Sequence, residues 1–512
     1  MNRSRKNKKP AHKDRSGRRR PDSDAQPEQP EGGDLPYTIQ VSAEMGRYLV
    51  ASRDLRPGEL IISEDPLVVG PCYDCQPLCV GCYRRLDLAA QDFRCERCGW
   101  PLCAADCPGR GAEHGHSGRE CEALAASDAR RHLVEDLRAQ YRALVPLRCL
   151  LLKAGAPDRW RALRGMESHD ELRRAIPSIW SSNQSAVVDR IRRLWRVPGF
   201  DESEIHTVCG VLEVNCFEVG QGGVSIRALY PTAFYMAHDC VPNTNHTDDA
   251  GYRLYVRAST PIRKGEAITL SYAYTLQGTL KRREHLRDSK FFECRCARCS
   301  DPTELGTHAG ALLCPRCLAE GCVLSSRPLD AAAPWRCARC HDYSVEAPAV
   351  GLLLDRIGEE AEAIDGNDVE ALESFLLKYR NVLHANHYLF LGALHSLSQL
   401  YGKVDGYLID QLPERLLLRK RDICRQLLGV CDVLEPGYTR LRGTILYELH
   451  APLMVLLSRS PRFSPQQLKE VMRCLEEASV ILGFEPLGSP EGDMGAAARQ
   501  ALAHLRKSAP DI

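Results

Sequence analysis

The sequence predicts an α+β protein of several domains: a strand-rich part, small zinc-stapled modules and an all-α C-terminal region. Three observations predict it. Short Ile/Val/Leu/Tyr runs, broken by Pro and Gly, recur over residues 37–71 and 211–274. Cys-x2-Cys pairs recur in clusters, within a total of 24 cysteines in 512 residues. From Ala347 onward, apolar residues recur at helical spacing between turn signals. At roughly 150 residues per domain, the length suggests three or four domains. The chain is 44% hydrophobic and 26% charged, a composition with ample core for a globular protein. No apolar run approaches the ~18 residues of a membrane span, so no membrane partner is expected. The basic N-terminus lacks the apolar stretch of a secretory signal. The expected setting is therefore the nucleus and/or cytoplasm, not the secreted space, where clustered thiols bind metal.

Residues 1–35 are polar and read as a disordered basic tail. Residues 1–20 hold ten Lys/Arg against one Asp, or +9, within a net charge of +1, which leaves −8 for the remainder. The tail is either a nuclear-localisation or nucleic-acid contact, or a solvated extension. Nucleic acid is expected at most there, because the acidic remainder offers little electrostatic drive. Residues 36–71 read as strands. Residues 72–121 are cysteine-dense, and 122–210 read as helical. Residues 211–274, within a segment spanning 211–290, return to short strands, with candidates in VLEVNCFEV (211–219), GVSIRALY, YRLYVRAS and AITLSYAY. Residues 291–300 and 301–346 are again cysteine-rich. Over 347–512 helices are expected near 350–364, 367–381, 386–401, 412–430, 438–457, 465–482 and 494–506. Asp365-Gly366, Glu435-Pro436-Gly437 and Ser464 before Pro465 separate some of them. Successive helical hairpins of this kind are compatible with a solenoid-like array.

A structural zinc takes about four thiolate or imidazole ligands, and Cys-x2-Cys supplies two from one tight turn. The first cluster offers Cys79, Cys82, Cys95, Cys98, Cys103, Cys107, His116 and Cys121, enough for two zinc ions. His114 is a rival for His116, and Cys72/Cys75 rival Cys79/Cys82. Cys314, Cys317, Cys337 and Cys340 have the spacing of a one-zinc ribbon. Cys294, Cys296 and Cys299 supply three ligands and need a fourth.

The first series, with PLCVGCYRRL leading in, resembles a MYND zinc finger. That resemblance implies one site of Cys79, Cys82, Cys103 and Cys107 and a second of Cys95, Cys98, His116 and Cys121. Four further segments resemble the SET domain of protein methyltransferases: 46–71, VLEVNCFEV (211–219), LYPTAFYMAHDCVPNTNH (229–246) and 262–299. In this order the chain is similar to the SET and MYND domain-containing family, and most to its divergent SmydA branch. The resemblance implies a β-rich SET fold split by the finger, then a post-SET zinc site and a helical, TPR-like C-terminal region. It supplies Cys240 as the fourth partner of Cys294, Cys296 and Cys299, for four zinc ions in all. It also implies methyl transfer from S-adenosylmethionine to a lysine of a protein substrate. Tyr272 would be the catalytic channel tyrosine. Gly46, Arg47, Asn215, His238, Tyr272 and Phe292 would be the cofactor-side residues.

Four positions depart from the family pattern. Tyr48 replaces the second glycine of Gly-x-Gly, Ala237 replaces an asparagine, Phe234 a small residue and Lys290 a second channel tyrosine. Two functions follow from different classes. One is an active lysine methyltransferase in transcriptional regulation. The other is a weak or inactive scaffold whose finger binds Pro-rich peptides of corepressor-type partners, with the helical array as a second protein-binding surface. A monomer is the default expectation.

Overall fold

The computed structural model describes residues 35–73, 75–87, 93–133, 137–220, 223–460 and 464–508. The basic tail read in the sequence lies outside the described residues, apart from residue 35.

Four strands come first: β1 (Tyr37–Ser42), β2 (Gly46–Ala51), β3 (Leu60–Glu64) and β4 (Val68–Pro71). The segment 72–117 holds no helix among its described residues. It is followed by α1 (Gly118–Ala125), α2 (Leu137–Gly155), α3 (Pro157–Arg164), α4 (Asp170–Arg174), α5 (Pro177–Asn183) and α6 (Glu202–Asn215). Strands then return as β5 (Phe217–Val219), β6 (Ile226–Leu229), β7 (Ala237–His238), β8 (Thr244–Asp248), β9 (Leu254–Ala258) and β10 (Thr269–Leu270). The strands form a β1–β2 hairpin, a β3–β9–β8 sheet and a β4–β6–β5 sheet, all antiparallel, while β7 and β10 pair in parallel. Strands flanking the cysteine-rich and helical stretch are thus brought together, with Val68 opposite Leu229.

Two helices follow, α7 (Thr279–Lys290) and α8 (Ala297–Ser300), then a four-stranded sheet of β11 (Leu312–Cys314), β12 (Leu318–Ser325), β13 (Trp335–Cys337) and β14 (Ser344–Val345). The remainder is helical: α9 (Ala347–Glu362), α10 (Val369–Tyr379), α11 (Tyr388–Leu400), α12 (Glu414–Leu434), α13 (Arg440–Arg459), α14 (Pro465–Ile481) and α15 (Pro490–Ser508). All seven helices fall on the stretches expected from periodicity and caps. Ser464, for example, accepts the amide of Gln467 just before Pro465, as an N-cap should.

One expectation fails. Residues 211–215, read as part of a strand, form the last turn of α6, and only Phe217–Val219 is strand. Asp201 caps that helix through the amide of Glu204, and Ile205, Val208, Cys209, Val211 and Leu212 all face its buried side. The helical period therefore runs straight through the apolar run that looked like a strand. Strand β8 was not legible, because its polar run Thr-Asn-His-Thr-Asp carries no apolar alternation, and among the described residues its ladder partner is β9.

Apolar side chains from the strands and α1–α6 make one core, and those of β11–β13 and α9–α15 a second. A small third cluster lies apart from both, built from Cys240, Ala273, Leu286, Cys294 and Cys299, with Tyr272 and Phe292 against it. The residues singled out for chemistry gather there.

Candidate functional site

The cysteines meet in four groups, and these are the groups read from the sequence: Cys79/Cys82/Cys103/Cys107, Cys95/Cys98/His116/Cys121, Cys240/Cys294/Cys296/Cys299 and Cys314/Cys317/Cys337/Cys340. Within each group all ligand atoms lie within 4.8 Å of one another. Tetrahedral zinc with Zn–S near 2.3 Å separates its sulfurs by about 3.8 Å. The observed contacts run from 3.5 Å (Cys79–Cys107, Cys82–Cys103) to 3.9 Å (Cys240–Cys294, Cys314–Cys340). These distances fit metal sites and are far beyond a disulfide bond. Each group could hold one zinc.

His116 rather than His114 faces its cluster, with Nε2 3.3 Å from Cys98 Sγ. Its other nitrogen, Nδ1, is 2.7 Å from Glu120 Oε1, the carboxylate–histidine arrangement that orients a metal ligand. Burial would depress His116, but the Glu120 carboxylate holds it above the usual histidine range. Burial likewise favours neutral Glu120, yet Arg148 and His116 keep its carboxyl below the usual value. Arg148 completes the set: its guanidinium bonds both Glu120 oxygens, the carbonyls of Val69 and Val80, and the Tyr83 hydroxyl. One side chain from α2 thus ties the zinc cluster to β4. His114 instead has a buried Nδ1 with no partner, and its carbonyl accepts the Tyr83 hydroxyl. We expect His116→Ala to lose one zinc per chain by mass spectrometry and His114→Ala to lose none. The opposite pattern would reverse the ligand assignment.

At the third cluster, Cys240 lies in the loop after β7, and the other three thiols follow α7. The buried Arg282 donates from Nε to Cys240 Sγ (3.3 Å) and from Nη2 to Cys299 Sγ (3.7 Å). Four thiolates around one Zn²⁺ leave excess negative charge, which this guanidinium offsets. Glu304, also buried, accepts from both Arg282 (2.8 Å) and Arg298 (3.0 Å). His238 links this cluster to the aromatic group. Its Nε2 is 3.3 Å from Cys240 Sγ, and its Nδ1 accepts the Tyr272 amide at 3.0 Å. With a thiolate on one side and an N–H on the other, the imidazole must carry its proton on Nε2.

The rings of His238, Tyr272 and Phe292 form one triangle, with centroids 5.3, 5.7 and 6.5 Å apart. Tyr272 donates its hydroxyl to the Met236 carbonyl, and burial pushes its pKa up to about 12. It is therefore a protonated donor and an aromatic wall at neutral pH. Phe292 is turned into the group because Phe291, just after α7, takes a left-handed backbone at φ 62°.

Of the remaining residues, Lys290 contacts this triangle; Gly46, Arg47, Tyr48 and Asn215 make their contacts elsewhere. Gly46 has φ +64° and open space where a side chain would stand. Arg47 crosses the rings of Phe234 and Tyr235, 5.8 and 5.2 Å from their centroids, and donates to the Gly165 carbonyl. Tyr48 lies in extended strand, and its hydroxyl reaches the exposed Gln40 at 3.5 Å, so this position needs no left-handed backbone. Asn215 ends α6, and its amide donates to the carbonyls of Glu167 and Val211, both at 2.8 Å. Loop 165–169 therefore straps the β2 side to the α6 side, a contact that nothing in its sequence announces. The Lys290 ammonium donates to the carbonyls of Val214 (2.8 Å) and Glu213 (3.3 Å) and stands 5.8 Å from the Tyr272 ring centre.

A cavity of about 640 Å³ opens elsewhere, between α7, the β11–β14 sheet and α9, with Trp335, Pro348 and Tyr388 in its wall. Among the described residues, no helix is long and apolar enough to cross a membrane.

Comparison with known proteins agrees with this geometry. The SET domain family model matches residues 46–273. The Drosophila melanogaster SET domain-containing protein SmydA-8, isoform A, is 30% identical over 320 residues, 60% of this chain and 65% of the relative. Human histone-lysine N-methyltransferase SMYD3 is 29% identical over 270 residues, 50% of this chain and 60% of that protein. Arabidopsis thaliana histone-lysine N-methyltransferase ASHR1 is 25% identical over 272 residues, 50% of this chain and 54% of that protein. The chain spans less than two thirds of the length of each of these three relatives. The chain carries a SET domain match over residues 46–273 and is similar to divergent SET and MYND domain-containing proteins.

Proposed function

We propose that this chain is an S-adenosylmethionine-dependent protein-lysine N-methyltransferase, acting on a histone or another protein in transcriptional regulation, in the nucleus and/or cytoplasm. The observation that carries the reading is the His238–Tyr272–Phe292 triangle, held on the Cys240 cluster by the two hydrogen bonds of His238. Four zinc ions would be structural. Gly46, Arg47, Asn215, His238 and Phe292 would hold the cofactor, which supplies an activated methyl group on its sulfonium. Gly46 leaves the backbone open for close approach. Tyr272 would wall the lysine channel. Burial raises its pKa, so at neutral pH its phenol would serve as a protonated donor and a wall rather than as a base. The triangle keeps that amine dry and aligned.

Titration calorimetry with S-adenosylmethionine tests this. Binding that Phe292→Ala weakens by about tenfold or more supports the reading, on the scale of a buried aromatic contact. No binding at millimolar ligand would sink it. A scaffold role is the second reading. It is favoured by a second concave site, the cavity between α7, the β11–β14 sheet and α9, whose lining does not include Tyr272. A Pro-rich peptide at the MYND-like finger belongs to the same reading.

A further inference from the structure

Lys290 puts a cation beside Tyr272, where its charge opposes the chemistry. It is also well built into its place. Glu213 and Val214 lie in the last turn of α6, where helix carbonyls have no intrahelical partner and carry the negative end of the dipole. Both accept from the Lys290 ammonium. Tyr272 presents its ring to the same cation at 5.8 Å. Two carbonyls and an aromatic face are the chemistry that holds a lysine ammonium in a narrow channel. Burial pulls the Lys290 pKa down, with Cys216 opposing the shift in part.

We infer that Lys290 is a built-in occupant of the methyl-transfer site, taking beside Tyr272 the position of a substrate lysine. This rests on the methyltransferase reading and adds regulation to it. The site is closed to a substrate amine until Lys290 leaves its two carbonyls. Its ammonium also repels the sulfonium of S-adenosylmethionine, while S-adenosylhomocysteine, an uncharged thioether at that position, is indifferent to it. Strap contacts close the same side: Asn215 and Arg47 are tied to loop 165–169.

The charge difference between the two ligands separates this role from mere capping of α6. Calorimetry is run with both ligands on the zinc-loaded full chain. In the wild type, S-adenosylmethionine should bind about tenfold more weakly than S-adenosylhomocysteine, the scale of one like charge nearby in a partly buried site. Lys290→Gln should bring the two within about twofold, and Lys290→Arg should keep the gap. Equal binding by the wild type, or a gap that survives Lys290→Gln, overturns the inference and leaves the methyltransferase reading standing. Failure of both ligands with every variant overturns the reading itself, and the role of Lys290 with it. Should the variants misfold, the wild-type comparison alone decides: a gap of about tenfold in favour of S-adenosylhomocysteine supports the inference, and equal binding overturns it.

Discussion

Arg148→Met should destabilise the protein by about 3–5 kcal/mol, the cost of breaking a buried ion pair from one side. It should also release zinc from the Cys95/Cys98/His116/Cys121 group. Arg148 and Glu120 are 8% and 1% exposed at their side chains, so water cannot replace what is lost. The substitution leaves a buried carboxylate with His116 alone, and two carbonyls, of Val69 and Val80, without the donor they now have. Methionine fills much of the volume, so the loss would be electrostatic rather than a cavity. Arg148→Lys should fall between, since one ammonium cannot fork to Glu120 and reach both carbonyls. Denaturant unfolding with parallel zinc analysis checks this. A wild-type midpoint with full zinc in Arg148→Met would refute it.

Cys240→Ala should cost one zinc per chain and leave the other three groups loaded. Structural zinc contributes on the order of 10 kcal/mol of binding energy to the fold around it. Here that fold includes the parallel β7–β10 pair, the end of α7 and the segment 294–299. Loss of the metal would leave Arg282 facing thiols that no longer carry charge, with Glu304 shared between two arginines. His238 would lose its Nε2 acceptor and with it the fixed tautomer that receives the Tyr272 amide. The expected signs are new tryptic cleavage around Arg295 and Arg298 and weaker cofactor binding. Unchanged zinc content would show that the fourth ligand lies elsewhere.

Most of the cysteine groups were legible because metal-ligand pairs such as Cys-x2-Cys keep a short local spacing, whereas Cys240 and the division of the first cluster came from the family resemblance. Glu120 was half visible. It stands four residues after His116 at the start of a helix, which a search for second partners of metal ligands would find. Arg148 was invisible, since Val69, Val80 and Glu120 meet it only through tertiary contact. Helices α9–α15 were legible from periodicity and caps. Residues 211–215 were not, because a short apolar run fits helix and strand alike and the Asp201 cap lies ten residues upstream. At the candidate site the residue types were readable, but their partners were not. Lys290 stood out as a misplaced cation; that two carbonyls of α6 receive it depends on how α6 ends.

The ladder between Val68 and Leu229 has a consequence for how the chain reaches its fold. These strands can pair only after everything from residue 72 to residue 225 has been looped out. The entropy of closing a loop grows with its free length, and distant pairings are slow to form. Metal uptake by the two groups between Cys79 and Cys121, the second tied to α2 and β4 through Arg148, would turn much of that loop into a folded unit. Zinc supply would then govern the speed of folding as well as its end point. A metal-starved chain would linger with β4 unpaired, an open strand edge of the kind that invites aggregation.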